Sequence, residues 1–283
     1  MEPASSVSRT YFEGGHELVL GDVKVALNAL QDDSFDLAIV DPAYGASTNK
    51  QWGISSDHGL SGFGGQWSQA AHAWDRLNNV DDFGQIVEWL SQLNRVVKPT
   101  GSIWIHSTYH NGGFVNVACQ LLGMEIINEV IWYKRNAFPN LARRRLTASH
   151  ETLLWVHTGG SKRRQYRFNY DDVKAAEFLS DSLKKDGKQM RTVWDIPNNK
   201  DRTEREFGAH PTQKPMRLTE RLFLISGTPG GKTLIPFMGS GTEAVAAARY
   251  GMSALGYEID LEYYQLACQR LKQEVASHTS SSS

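Results

Sequence analysis

The chain has 283 residues, with 30 Lys and Arg against 31 Asp and Glu for a net charge of −1, which excludes a globally basic coat. With 40% hydrophobic and 22% charged residues it can bury a core, and disorder throughout is excluded. Its two cysteines, Cys119 and Cys268, cannot by themselves make a disulfide framework or a four-ligand zinc site, so no metal is expected. No apolar run approaches the roughly 18 residues that span a bilayer. The N-terminal MEPASSVSRT lacks a basic stretch followed by an apolar one, so a soluble, cytoplasmic protein without a membrane partner is expected.

Short apolar runs alternate with amphipathic stretches, the pattern of an α/β sheet covered by helices on both faces, a doubly wound fold. In chain order the predicted elements begin with a strand at Leu18–Leu20, a helix at Val23–Leu30, a strand at Phe35–Val40 and a helix at Asp81–Val97. A strand at Ser102–His106, a helix at Gly113–Leu122, and strands at Glu129–Tyr133 and Thr152–His157 follow. The last five are a helix at Leu218–Ser226, a strand at Lys232–Pro236, a helix at Glu243–Tyr250, a strand at Ala254–Glu258 and a helix at Leu261–Val275. Lys98-Pro-Thr-Gly101 is read as the punctuation between a helix and a strand. Residues 45–73 are rich in glycine and aromatics without a periodic face, so they form either a functional loop or an unstructured insertion. The serine-rich tail from Ser277 is expected to be unstructured.

Two strand ends carry chemistry. The run Leu234-Ile-Pro-Phe-Met-Gly-Ser-Gly-Thr-Glu-Ala244 is an apolar strand entering a tight glycine turn that opens a helix, where backbone approaches a ligand beside unsatisfied N–H groups. Gly239, Gly241 and Ala244 also fit a nicotinamide fingerprint, so an oxidoreductase and a plain turn both stay open on this motif. Glu258 ends the next strand, where it would accept hydrogen bonds from ribose hydroxyls. Gly227-Thr-Pro-Gly-Gly-Lys-Thr233 fails the spacing of a phosphate loop, because Ser226 stands where the first glycine belongs, and it is read as a turn. Earlier in the chain, Leu37-Ala-Ile-Val40 runs into Asp41-Pro-Ala-Tyr44. A carboxylate, a rigid carbonyl and an aromatic face at one strand tip make a receptor for a planar ring with an exocyclic amine. An Asp-Pro turn after a buried strand is the competing reading.

Asp41-Pro-Ala-Tyr44 resembles the DPPY motif of amino-methylating DNA methyltransferases, and Phe237-Met-Gly-Ser-Gly-Thr242 resembles their FxGxG cofactor loop. His210-Pro-Thr-Gln-Lys-Pro215 is similar to the segment preceding that loop in the β class, and the motif order matches that class. The resemblance implies a site-specific, restriction-modification-type methyltransferase acting on adenine N6, with cytosine N4 or a catalytically impaired DNA-binding relative as alternatives. It implies a doubly wound Rossmann-like fold of circularly permuted motif order, with S-adenosyl-L-methionine as cofactor.

The implied catalytic residues are Asp41, Pro42 and Tyr44. Asp22, Thr212, Lys214, Phe237, Gly239, Gly241, Thr242 and Glu258 would hold the cofactor, although Asp22 also suits a helix cap. Residues 1–137 would form the catalytic half, 138–205 the target-recognition region, 206–276 the cofactor half and 277–283 the tail. Two departures stand out: Ala43 replaces a proline, and Ile235 replaces an acid common in the family. The implied partner is DNA, double-stranded or single-stranded, with a homodimer left open. The run from Lys134 to Arg167 holds nine basic residues and one acid, Glu151, interleaved with aromatics. Lys134, Arg135, Arg143, Arg144, Arg145, Arg163 and Arg164 are its candidate DNA contacts, against a merely solvated basic face.

Overall fold

The computed structural model describes residues 9–42, 83–140, 144–160, 165–179, 181–198, 201–208 and 210–281. Tyr44, Arg143, Arg163, Arg164 and the glycine-rich stretch 45–73 lie outside them. Strands β1 (Arg9–Glu13), β2 (His16–Leu20), β3 (Phe35–Val40), β4 (Val97–Ser107), β5 (Glu125–Tyr133), β6 (His150–His157), β7 (Val193–Asp195), β8 (Lys232–Ile235) and β9 (Ser253–Glu258) form one sheet. Its order is β1-β2-β9-β8-β3-β4-β6-β5-β7. The run β2-β9-β8-β3-β4 is parallel, whereas β1 and β6 pair antiparallel with their neighbours. Helices are α1 (Val23–Leu27), α2 (Phe83–Val96), α3 (Gly112–Leu121), α4 (Tyr170–Ala175), α5 (Met216–Ser226), α6 (Thr242–Arg249) and α7 (Leu261–Ser281). No described helix is long and apolar enough to cross a membrane.

Two cores sandwich the sheet. In α2 the buried residues Ile86, Trp89, Leu90, Leu93 and Val96 recur at helical spacing, and this stripe packs with α1 and α3 on one face. The other face holds α5, α6 and α7 with the indoles Trp104, Trp132, Trp155 and Trp194. Trp104 and Trp155 stack at 5.1 Å, an arrangement worth about 1 kcal/mol beyond the area buried. Each of these four indole N–H groups donates to a partner: Ser226 Oγ, Ile196 O, Ser102 Oγ and Arg191 O respectively. The cost of burying so much aromatic surface with polar tips is thereby avoided.

The chain leaves β3 through α2 toward β4 on one face, and leaves β8 through α6 toward β9 on the other. The adjacent strands β3 and β8 therefore diverge at their carboxyl ends, the switch point where doubly wound sheets open a crevice.

Several expectations change. The segment 138–205, read as an inserted recognition region, supplies β6 and β7 to the main sheet and Trp194 to its core. Lys98-Pro-Thr-Gly101 lies inside β4, in an irregularity where the pairing slips from Phe35–Val97 to Leu37–Ser102. Such a bulge accommodates a proline that cannot donate to the ladder. Helix α7 continues through Ser281, so the expected tail is helical at least that far. The strands β1 and β7 and the helix α4 have no counterpart among the elements the sequence predicts.

Candidate active site

The carboxyl ends of four neighbouring strands line one cavity of about 270 Å³. In sheet order, β2 presents Gly21-Asp22, β9 presents Glu258, β8 presents Pro236 to Ser240, and β3 presents Asp41-Pro42. Three strand spacings separate the outer pair, roughly 14 Å. Thr212, Gln213 and Lys214, from the connection before α5, and Thr242 and Glu243, from α6, complete it with Ile86 and Trp89. Asp22, Asp41, Pro42, Thr212, Lys214, Phe237, Gly239, Thr242 and Glu258, all singled out from sequence, thus share one space.

The glycine turn is held from below. Gly239 and Gly241 have φ of +52° and +76°, a region that disfavours side chains. A Cβ on Gly241 would also sit 2.7 Å from Ala267 Cβ of α7, so this glycine supports the turn without lining the cavity. Met238 N donates to Tyr257 O at 2.8 Å, and the buried Arg270 of α7 donates to Ser240 O at 2.7 Å and to Thr242 Oγ1 at 3.0 Å. Glu258 accepts from Gly239 N at 2.7 Å and from Asp260 N at 2.8 Å, which fixes its carboxylate against the turn. Phe237 meets Trp89 edge-on at 6.1 Å. Asp22 accepts from Lys24 N at 2.9 Å, so it does cap α1 while it borders the cavity. Thr212 is exposed, with its Oγ1 3.2 Å from His210 Nδ1.

Beneath Asp41 lies a buried ionic cluster. The Lys214 ammonium, 3% exposed, donates to Asp41 Oδ1 at 2.9 Å and Oδ2 at 2.7 Å, and stands 3.7 Å from Glu151 Oε2. The second oxygen of Glu151, Oε1, accepts from Lys134 Nζ at 2.8 Å. Burial pushes the Asp41 carboxyl up to about 6, although Lys214 opposes the rise. Burial alone would lower the Lys214 ammonium, but Asp41 and Glu151 more than offset it and hold its pKa above the ordinary lysine value. Glu243, 5% exposed at the start of α6, is pushed up to about 7 by burial and by the charge of Asp41. His106, fully buried on β4, is driven down to about 3 by burial and then by Lys214, and is neutral.

Glu151, Glu243, His106 and Arg270 were missed from sequence. A signal existed for Glu151, the single acid in a basic run, and for Glu243, beside Thr242 in the helix's first turn. Nothing local marks His106 or Arg270.

The family profile described as DNA methylase matches residues 35–269. The chain belongs to that family. It is 35% identical to the Type II methyltransferase M2.DpnII of Streptococcus pneumoniae over 259 residues, covering 91% of this chain and 90% of that one. Among solved structures, the M1.HpyAVI–SAM complex aligns with a TM-score of 0.60 at 21% identity, over 90% of this chain and 98% of the other. The cytosine-N4-specific PvuII DNA methyltransferase aligns at 0.67 and 16% identity, over 94% and 92%. The fold is therefore that of a DNA methylase.

Among the described residues, the methylase's basic run does not form one face. Strand β6 is antiparallel to β4, pairing Thr152 with Ser107 and Val156 with Ile103. It thus carries the chain from the cavity end of the sheet to the opposite end, where Arg167 N donates to Thr100 O at 3.2 Å. Lys134, expected to face DNA, is 13% exposed and paired with Glu151 inside the cluster. Arg135 is exposed but donates to Asp195 Oδ1 at 2.8 Å. Arg144 and Arg145 are exposed on the β5–β6 connection, and Arg145 Nη1 donates to Tyr109 OH at 3.1 Å. The aromatics change role too. Trp132 is core, and Tyr166 and Phe168 pack edge-on against Trp155.

Proposed function

We propose that this methylase transfers a methyl group from S-adenosylmethionine to adenine N6 in DNA, on a base that is extrahelical or single-stranded. The observation that carries the reading is the meeting of Asp41-Pro42 and the glycine turn in one cavity, across the β3–β8 switch point. A base inside a duplex cannot reach a carboxylate at such depth, so it must leave the stack.

The lining fits the methyl donor. Phe237, Trp89 and Ile86 offer apolar walls for an adenosine, and the carboxylates Asp22, Glu258 and Glu243 suit hydroxyls, an amine and a cationic centre. Glu243 stands in for the acid that Ile235, fully buried, does not supply. When bound, S-adenosylmethionine supplies an electrophilic methyl group on a sulfonium.

The protein's part is to position and to handle one proton. Asp41 and the Pro42 carbonyl each accept a hydrogen bond from the target amine, which draws the nitrogen lone pair out of conjugation, and Tyr44 stacks on the ring. With a pKa of about 6, the Asp41 carboxylate is basic enough to take the proton the nitrogen sheds. The likeness to Type II methyltransferases supports a modification role within a restriction system.

Asp41→Ala tests the reading, with radiolabelled donor and mixed-sequence DNA. Loss of a charged acceptor at the reacting group should cost at least about 10³ in rate, with donor affinity kept within about threefold because Asp41 faces the base. Turnover near the parent rate would refute the assignment. Nucleoside analysis of the product separates N6-methyladenine from N4-methylcytosine.

A further inference from the structure

The Asp41 carboxylate, on which the proposed base recognition rests, is masked. Lys214 donates to both of its oxygens, at 2.9 and 2.7 Å, and also to Thr212 O at 3.4 Å. An amine presented to Asp41 must compete with this ammonium for the same lone pairs. A full positive charge left beside the amine would also oppose the charge that develops on the nitrogen as it is methylated.

A second acceptor waits beside it. Glu151 Oε2 is buried, has no hydrogen-bond partner among the described residues, and lies 3.7 Å from Lys214 Nζ. A buried carboxylate oxygen without a donor is costly and calls for a reason, particularly when its twin Oε1 is held firmly by Lys134. The neighbouring His106 ring is fully buried, and neither of its nitrogens has a partner among the described residues, so no hydrogen bond from it occupies that oxygen.

We infer that Lys214 and Glu151 form a two-position switch at the base site: Lys214 masks Asp41 until an amine arrives, and Glu151 then receives the displaced ammonium. No proton moves and no bond forms in this step. The ammonium exchanges one carboxylate for another inside the same buried cluster, so the rearrangement avoids stranding a charge. Lys134 pins Glu151 so that the receiving oxygen stays in reach. Glu151 is on this account a positioning residue that acts through Lys214. The switch also protects the empty site, since Asp41 without Lys214 would be a buried carboxylate with its nearest countercharge gone.

The inference rests on Asp41 being the amine acceptor, and the experiment separates the two. Glu151→Gln keeps the size of the side chain and an acceptor for Lys134 but removes the charge that receives Lys214. It should lower kcat at least tenfold, with KM for DNA and donor affinity within about threefold. Glu151→Asp, which restores the charge, should stay within about threefold of the parent kcat. A thermal-unfolding cycle of Asp41→Asn, Glu151→Gln and their double variant supplies a second readout. If either carboxylate can hold Lys214, each single variant loses little Tm and the double loses more than the two together. Equal kcat for the Gln and Asp variants, or additive losses of Tm, would overturn the switch. Undiminished turnover by Asp41→Asn would instead overturn the base-site reading beneath it.

Discussion

Glu243 links donor binding to pH. Its carboxyl is pushed up to about 7 by burial and by Asp41, into the range where it titrates around neutral pH. A cationic donor in the cavity favours the ionised form, and binding must therefore release a proton wherever Glu243 was protonated. For a group of pKa near 7 the ionised fraction rises from about one-tenth at pH 6 to about nine-tenths at pH 8, so donor affinity should rise by up to about tenfold, roughly 1.4 kcal/mol. Isothermal titration with S-adenosylmethionine across that range measures the trend, and buffers of different ionisation enthalpy count the released proton. Glu243→Gln should bind more weakly at pH 8 and lose most of the pH dependence. Glu258 also has a raised pKa, by burial, so the Gln variant is needed to assign the effect. A dissociation constant constant from pH 6 to 8 in the parent, with no proton released, would refute the placement of Glu243 against the donor's positive charge.

Asp41, with a pKa of about 6, must be ionised to accept the amine. The pH profile of kcat/KM should accordingly fall tenfold per pH unit below about 6 and level off above it; a flat profile between pH 5 and 7 would contradict that requirement. Arg221 and Asp181 form a fully buried pair at 2.6 Å, with the guanidinium 4.1 Å from the Phe178 ring centroid. Arg221→Met should cost about 3–5 kcal/mol in urea unfolding because Asp181 is left uncompensated. Gly241→Ala combines a left-handed φ with a 2.7 Å approach to Ala267 Cβ, and should cost about 2–4 kcal/mol and weaken donor binding by calorimetry. Replacing Arg144 and Arg145 with Ala should reduce the slope of log K against log salt for DNA by about 2; an unchanged slope would move the phosphate contacts elsewhere.

Strand β3 was readable because it is a dense apolar run ending in Asp-Pro, whereas β2, with His16 and Glu17 at its start, is read two residues short. Phe35–Val40 agrees to the residue, and β8 and β9 differ from their predicted bounds by one residue at one end. The convergence of Asp41 with Gly239 was legible only through the family resemblance. The edge strands β1 and β7 are short and the former is mostly exposed, so neither carries an apolar run to betray it. The layout of the basic run was hidden for a topological reason. Charge counting along the chain cannot see that β6 reverses direction and separates Arg144 from Arg167 by the length of the sheet. The ionic cluster was equally hidden, because Asp41 and Lys214 are 173 positions apart in the chain, and by sequence Lys134 reads as a DNA contact and Glu151 as the one acid of a basic run.

The β5–β6 hairpin closes where Lys134 N donates to Ser149 O at 2.7 Å, at the same end of the sheet as Asp41. Below this clasp the two strands are paired up to Tyr133 and His150, so the ladder itself does not draw on the connection above it. Changes within the described part of that connection are therefore expected to leave Lys134 and Glu151, which stand at the strand ends, in register with each other.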